Sequence, residues 1–200
     1  MRPRYHIRTF GCQMNFHDSE VLSALFEARG MEEAAGPEDA DVVVLNTCCV
    51  RENADNKLYG HLGALKGLKA TRPGLQIAVG GCLAQKDRGR IVERAPHVDV
   101  VFGTHNLSAA PGLLDRARDE GAVVEVLDEA QTADLEVPLR RAGGHSAWVT
   151  IQIGCDNTCA FCIVPAVRGR EMSRRMGDLV REVEELAATG VSEVTLLGQN

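Results

Sequence analysis

The sequence has no long apolar run. Its hydrophobic stretches fall well short of the roughly 20 residues that a membrane-spanning helix needs. The opening "MRPRYHIRTFGC" also lacks the apolar core of a secretory signal peptide. A cytoplasmic chain without a membrane partner is therefore expected. Positive charge is not in excess either: 22 Lys and Arg stand against 28 Asp and Glu, a formal net charge of −6. That balance excludes a free-standing electrostatic nucleic-acid binder and leaves any phosphate contact to a local basic stripe. Signs of disorder are missing as well. With 44% hydrophobic and 25% charged residues in 200 positions, the chain has the composition of a globular protein that buries a real core.

Seven cysteines are present, an odd number. Cytosolic thiols stay reduced, so these are better candidates for metal ligation or catalysis than for disulfides. Three of them, Cys155, Cys159 and Cys162, crowd into "GCDNTCAFC" with no fourth beside them.

Apolar runs alternate with amphipathic stretches along the first 120 residues or so. "YHIRTF" (5–10) leads into "DSEVLSALFEARG", where Asp18 is the expected helix cap, Val21, Leu22, Leu25 and Phe26 share a face, and Gly30 ends the helix. "DVVVLNTC" (41–48) leads into a helix carrying Leu58, Leu62 and Leu65 and closed by Pro73. "LQIAVGGC" (75–82) and "VDVVFG" (98–103) repeat the plan. Nearly continuous apolar runs such as 42–45 and 98–102 suit strands covered on both faces, so the expected fold class is α/β, an open doubly wound parallel sheet. It is expected to span 3–119, with a linker at 120–142, where "QTADLEVPLRRAGGH" loses periodicity. A second unit is expected over 143–200. "AWVTIQIGC" reads as a strand with Val149, Ile151 and Ile153 alternating, "DLVREVEELAATG" as a helix capped by Asp178, and "EVTLLGQN" as a strand, giving one βαβ unit. It stops directly after its second strand, so the chain is expected to be the front part of a longer protein.

Cys12, Cys48 and Cys82 each close a predicted strand, 36 and 34 residues apart. In an open parallel sheet those ends lie along the edge where ligand sites are built, so the three thiols should converge. Cys155, Cys159 and Cys162 lie on one tight loop. A structural zinc site wants four protein ligands, and His97, His105 and His145 show no paired spacing. A haem motif would need His at Ile163, and a dithiol pair would explain Cys159 and Cys162 but not Cys155. A cubane iron–sulfur cluster accepts four ligands; held by three, it keeps one iron open for a substrate or cofactor. The chain offers that arrangement twice.

"GCDNTCAFC" resembles the CxxxCxxC signature of radical S-adenosylmethionine enzymes, with Phe161 as the aromatic residue before the last cysteine. Joined to "GCQMN" (11–15), "NTCCVREN" (46–53), "GGCLAQ" (80–85) and "RGREMSR" (168–174), it resembles the methylthiotransferase family, and its tRNA-modifying branch in particular, over all 200 residues. The branch acting on a ribosomal-protein aspartate tends to have Pro-Lys in place of Gln13 and Met14, and lacks the "VRE" that follows Cys49. The resemblance implies a methylthiotransferase N-terminal domain followed by the first βαβ unit of a radical S-adenosylmethionine partial (βα) barrel. It also implies two 4Fe-4S clusters. Cys155, Cys159 and Cys162 would hold one whose open iron takes S-adenosylmethionine, the source of a 5'-deoxyadenosyl radical, with Phe161 near that cofactor. Cys12, Cys48 and Cys82 would hold an auxiliary one that carries or supplies sulfur. The target would be C2 of an N6-isopentenyladenosine beside the tRNA anticodon, an unactivated C–H bond that acid/base chemistry does not reach. A reducing electron donor is implied, and a monomer is expected.

Where the family places Ser or Ala after the cluster cysteine of "NTC", this chain has Cys49. Register favours Cys48 as the ligand and Cys49 as a bystander pointing away. Arg168, Arg170, Arg174 and Arg175 form a basic run that would meet cofactor or tRNA phosphate, or simply line a solvated loop. Asn15, Asn46 and Gln85 flank the auxiliary cysteines and would hydrogen-bond a ligand or a sulfur. Gly11, Gly81 and Gly154 would clear room for a cluster. Two other readings remain: the ribosomal-protein branch, and a metal or sulfur-carrier module. A protein of these residues alone is expected not to methylthiolate.

Overall fold

The computed structural model describes residues 2–50, 54–129 and 144–199. Arg51 and Glu52 of "VRE" and most of the expected linker lie outside the described residues. Six parallel strands form the central sheet in the order β2-β1-β3-β4-β5-β6. The first three are β1 (Arg4–Phe10), β2 (Glu32–Glu33) and β3 (Val42–Thr47); β4 (Gln76–Gly81), β5 (Val100–Phe102) and β6 (Val123–Glu125) follow. All residues of β3 and β4 are buried, as expected for strands covered on both faces.

From β1 the chain runs out to β2 at one edge, then crosses back to β3 on the other side of β1. This reversal puts successive helices on opposite faces. α1 (Gln13–Ala28) and α5 (Ala110–Glu120) bury Val21, Leu22, Phe26, Leu113 and Leu114 against Val42, Val44 and Ala78. On the other face, α2 (Ala54–Thr71), α3 (Cys82–Asp87) and α4 (Arg90–Arg94) bring Leu58, Leu62, Leu65, Leu83 and Ile91 onto Val43, Leu45, Ile77 and Val79. Adjacent residues of one strand thus feed two separate cores, the period of two that a pleated strand imposes. Each fully buried aliphatic side chain contributes about 1.5–3 kcal/mol.

The sheet is the α/β architecture read from the sequence, with local differences. β2 is two exposed glutamates, a pairing with no apolar signal. β6 pairs with β5 in the register Val100↔Val123, so the sheet continues into the stretch expected to be linker from 120. Val126 packs on the core beyond it, and the carbonyl of Leu127 accepts a hydrogen bond from Gln85 Nε2 at 2.7 Å. α1 starts five residues before Asp18, with Cys12 in the capping position, so Asp18 lies inside the helix and is buried. Arg175, not Asp178, precedes the first turn of α7 (Met176–Ala188).

The second unit pairs β7 (Ser146–Thr150) with β10 (Glu193–Leu197) in parallel, α7 crossing between them. The single strand expected through Ile153 is broken after Thr150. Its continuation β8 (Gln152–Ile153) leaves that ladder and pairs antiparallel with β9 (Met172–Ser173). Between β8 and β9 lies α6 (Val164–Arg168), which packs against α3 of the first unit. Thr104 Oγ1 donates to the Val167 carbonyl at 2.5 Å, and the rings of Phe16 and Trp148 meet at 6.0 Å. Among the described residues, no helix is long and apolar enough to cross a membrane.

Candidate metal centres

Three neighbouring strands are followed within two residues by a cysteine. Phe10 pairs with Thr47 and Thr47 with Gly81, so Cys12, Cys48 and Cys82 leave the same carboxyl edge of β1, β3 and β4. The sheet reverses its winding between β1 and β3, where open α/β folds place ligands. Cys48 and Cys82 are buried, Cys12 is partly exposed, and all seven cysteines are free thiols. Cys12 caps α1 and Cys82 opens α3, so two of the three sulfurs sit at helix starts, where unpaired N–H groups favour negative charge.

The strand ends are tied behind these thiols by a buried amide network. Asn46 Nδ2 donates to the Asn15 carbonyl at 2.7 Å and to Ser19 Oγ at 2.9 Å. Asn15 Nδ2 donates to Asn46 Oδ1 and the Thr47 carbonyl, both at 3.4 Å, and the Cys12 thiol donates to Asn15 Oδ1 at 3.5 Å. Asn15 thus meets a cysteine sulfur, whereas Asn46 holds Asn15. Gln85 acts elsewhere: its Oε1 accepts from Thr104 N and its Nε2 holds the Leu127 carbonyl.

The glycines before the cysteines answer to the protein itself. A Cβ on Gly81, at φ +91°, would fall on the Asn46 amide and 2.5 Å from the Thr47 carbonyl oxygen. One on Gly11 would lie 2.7 Å from Asn15 Cγ. One on Gly154, at φ +75°, would come within 2.6 Å of the Gly169 carbonyl oxygen.

Cys49 does not point away from the other thiols. It lies beside Cys82, and the two thiols perturb each other, while Cys48 Sγ accepts the Val50 N–H at 3.3 Å. The adjoining Cys49 holds the Cys82 thiol down at about 6 against its burial, and the nearby Arg168 guanidinium acts in the same direction. Cys82, together with burial, raises Cys49.

The second trio lies on the loop that β8 and β9 close at its base. Cys155 N donates to the Gly169 carbonyl at 3.2 Å, Gly154 N to Gln199 Oε1 at 2.6 Å, and Glu171 N to Asp156 Oδ1 at 3.0 Å. Cys155 is buried at this base, while Cys159 and Cys162 are exposed and joined by a turn from Cys162 N to the Cys159 carbonyl. Phe161 between them is 97% exposed.

Of the arginine run, only Arg170 and Arg175 face solvent. Arg174 Nη1 holds Glu182 Oε2 at 2.6 Å and the Thr150 carbonyl at 3.0 Å. Arg168 is 2% exposed and grips Asp18 with both arms, Nη2–Oδ2 at 2.6 Å and Nη1–Oδ1 at 3.1 Å. Burial alone would lower the Arg168 pKa, but Asp18 and Cys82 outweigh it and raise it. Sequence reasoning missed Asp18 in this role. The signal was a carboxylate on the apolar stripe of α1, four residues from both Met14 and Leu22.

His97 Nε2 donates to the Leu62 carbonyl, and His105 is buried with Nδ1 donating to the Leu127 carbonyl. Both occupy packing positions. Among the described residues, no three His, Cys, Asp or Glu side chains are already gathered into a metal-binding group. The two trios therefore fit iron–sulfur ligation by donor chemistry and by placement, three thiols at one sheet edge and three on one anchored loop.

Residues 4–103 match the uncharacterized protein family UPF0004. A tRNA-2-methylthio-N(6)-dimethylallyladenosine synthase of Acidothermus cellulolyticus is 61% identical over 100% of this chain. Proteins of the same name from Streptomyces coelicolor and Frankia alni are 62% and 60% identical over 98% of it. The chain spans 39–40% of the length of these relatives.

Proposed function

Because the chain belongs to the methylthiotransferase family, to which its UPF0004 region and its relatives join it, we propose that it serves a radical S-adenosylmethionine tRNA methylthiotransferase. The substrate is N6-isopentenyladenosine in tRNA, methylthiolated at C2, a reading supported by the product in the relatives' names, tRNA-2-methylthio-N(6)-dimethylallyladenosine. The observation that carries the reading is the pairing of two cysteine trios, one at three adjacent strand ends and one on a closed loop, in units that touch. When bound, the two 4Fe-4S clusters and S-adenosylmethionine supply radical cleavage of the C–H bond and the sulfur that replaces the hydrogen.

The residues divide the remaining work. Cys12, Cys48 and Cys82 hold the auxiliary cluster, with Asn15 orienting Cys12. Cys155, Cys159 and Cys162 hold the S-adenosylmethionine cluster, and Phe161, standing out from the loop, covers that cofactor. Arg170 and Arg175 are the members of the basic run free to meet tRNA phosphate, since Arg168 and Arg174 are committed to Asp18 and Glu182. The first unit, through β6, is the methylthiotransferase N-terminal domain, and the βαβ unit opens the partial barrel. The protein is a cytoplasmic monomer that takes electrons from a separate donor, and these residues alone do not turn over.

Anaerobic reconstitution of the full-length protein tests this, with iron and acid-labile sulfide counted in the parent and in Cys12→Ala and Cys155→Ala. Each substitution should remove one cluster and leave the other. Metal retained without sulfide would overturn the reading. Assaying modified adenosine in tRNA against a modified ribosomal-protein aspartate separates the two branches.

A further inference from the structure

Arg168 stands six residues past Cys162, yet its head group lies in the other unit. It ends the short helix α6, carries a fully buried guanidinium, and forms a two-pronged pair with Asp18 across 150 residues of chain. A guanidinium has five N–H donors, and the fork to Asp18 uses two of them. α6 packs on α3, which Cys82 opens, so the guanidinium lies close enough to act on the Cys82 thiol. The loop that carries one trio therefore ends in a buried cation packed beside the helix that a cysteine of the other trio opens.

We infer that Arg168 is a positioning residue for the centre on Cys12, Cys48 and Cys82, fixing the Cys82 sulfur and raising the reduction potential of that centre from the neighbouring unit. The inference rests on the two-cluster reading above. Positive charge near a cluster favours the reduced, more negative state, and it acts strongly in a buried site. Asp18 offsets part of that charge and aims the guanidinium through its two-pronged pair. The electronic properties of one centre then depend on the docking of the unit that holds the other.

The test uses full-length protein in which Cys155, Cys159 and Cys162 are all changed to alanine, so that a single centre remains. Into it go Asp18→Leu with Arg168→Met, an apolar replacement of both partners that spares the fold an unpaired buried charge, and separately Arg168→Lys. Iron and sulfide per chain, the reduction potential by spectroscopic titration, and the melting of the iron-free protein are measured. The double variant should load iron and reduce at a more negative potential than the parent, with Arg168→Lys between the two. Loss of iron with unchanged melting equally supports the positioning role. A double variant with full iron and the parent's potential overturns the inference and leaves the two-cluster reading standing. If the double variant does not fold, Arg168→Lys decides: a more negative potential supports, an unchanged one overturns. A parent without iron overturns the two-cluster reading and this inference with it.

Discussion

Asn46 reaches across from β3 to hold the backbone carbonyl of Asn15 on α1 at 2.7 Å, with no solvent at either residue. That carbonyl belongs to the first turn after Cys12, so the amide fixes where the helix begins relative to the sheet. Asn46→Ala removes donors to the Asn15 carbonyl and Ser19 Oγ. Each buried group left unsatisfied costs about 1–3 kcal/mol. Urea denaturation of the iron-free protein should show a loss in this range, with iron loading at the Cys12 site reduced while the Cys155 site still loads.

Gly81→Ala should be worse than its size suggests. At φ +91° and ψ −168° the backbone lies in a region open to glycine alone, and strain there costs about 1–3 kcal/mol. The added methyl also meets Thr47 and Asn46. Gly63 is the contrast, exposed on α2 with nothing within 4 Å of an added Cβ. Gly63→Ala should raise stability by about 0.5–1 kcal/mol. Equal effects at the two positions, measured in one denaturation series, would contradict this account.

Cys49→Ala should leave the iron and sulfide content of the full-length protein unchanged, because Cys48 is the buried thiol at the strand end and Cys49 lies beside Cys82. The iron-free variant should alkylate at Cys82 at a changed rate, since the neighbouring Cys49 thiol is gone. Iron falling by half would make Cys49 a ligand.

Arg170 and Arg174 sit four residues apart and should behave differently. Arg170 is 92% exposed, with only a loose pair to Asp156 at 3.8 Å, worth at most about 1 kcal/mol. Arg170→Gln should leave melting unchanged and weaken tRNA binding, lowering the slope of log affinity against log salt by about 1. Arg174→Gln, cutting the partly buried link to Glu182 and Thr150, should lower the melting temperature instead.

The sheet was legible because β3, β4 and β5 announce themselves as apolar runs and Leu58, Leu62 and Leu65 mark their helix by spacing alone. The strand-end position of Cys12, Cys48 and Cys82 followed from the same pattern. What did not follow were contacts between distant segments. Asp18 looked like a cap because aspartate caps helices, yet Arg168 lies 150 residues on and leaves no local trace. Gly81 and Gly154 were read as room for a cluster, whereas their left-handed φ and their neighbours already require glycine. The direction of Cys49, expected to point away from its neighbours, does not follow from strand alternation past Thr47, where β3 has ended.

The antiparallel pairing of Gln152 with Ser173 makes the second trio a matter of short-range closure. About 20 residues separate the strands that seal its loop, whereas the first trio needs β1, β3 and β4 assembled across 70 residues from Cys12 to Cys82. Closure entropy rises slowly with span, by about 0.6 kcal/mol per doubling, but parallel pairing of distant strands is slow to form. The two sites therefore differ in contact order. One can take shape locally, and the other has to wait for the sheet, so the sheet's folding sets when Cys12, Cys48 and Cys82 come to one edge.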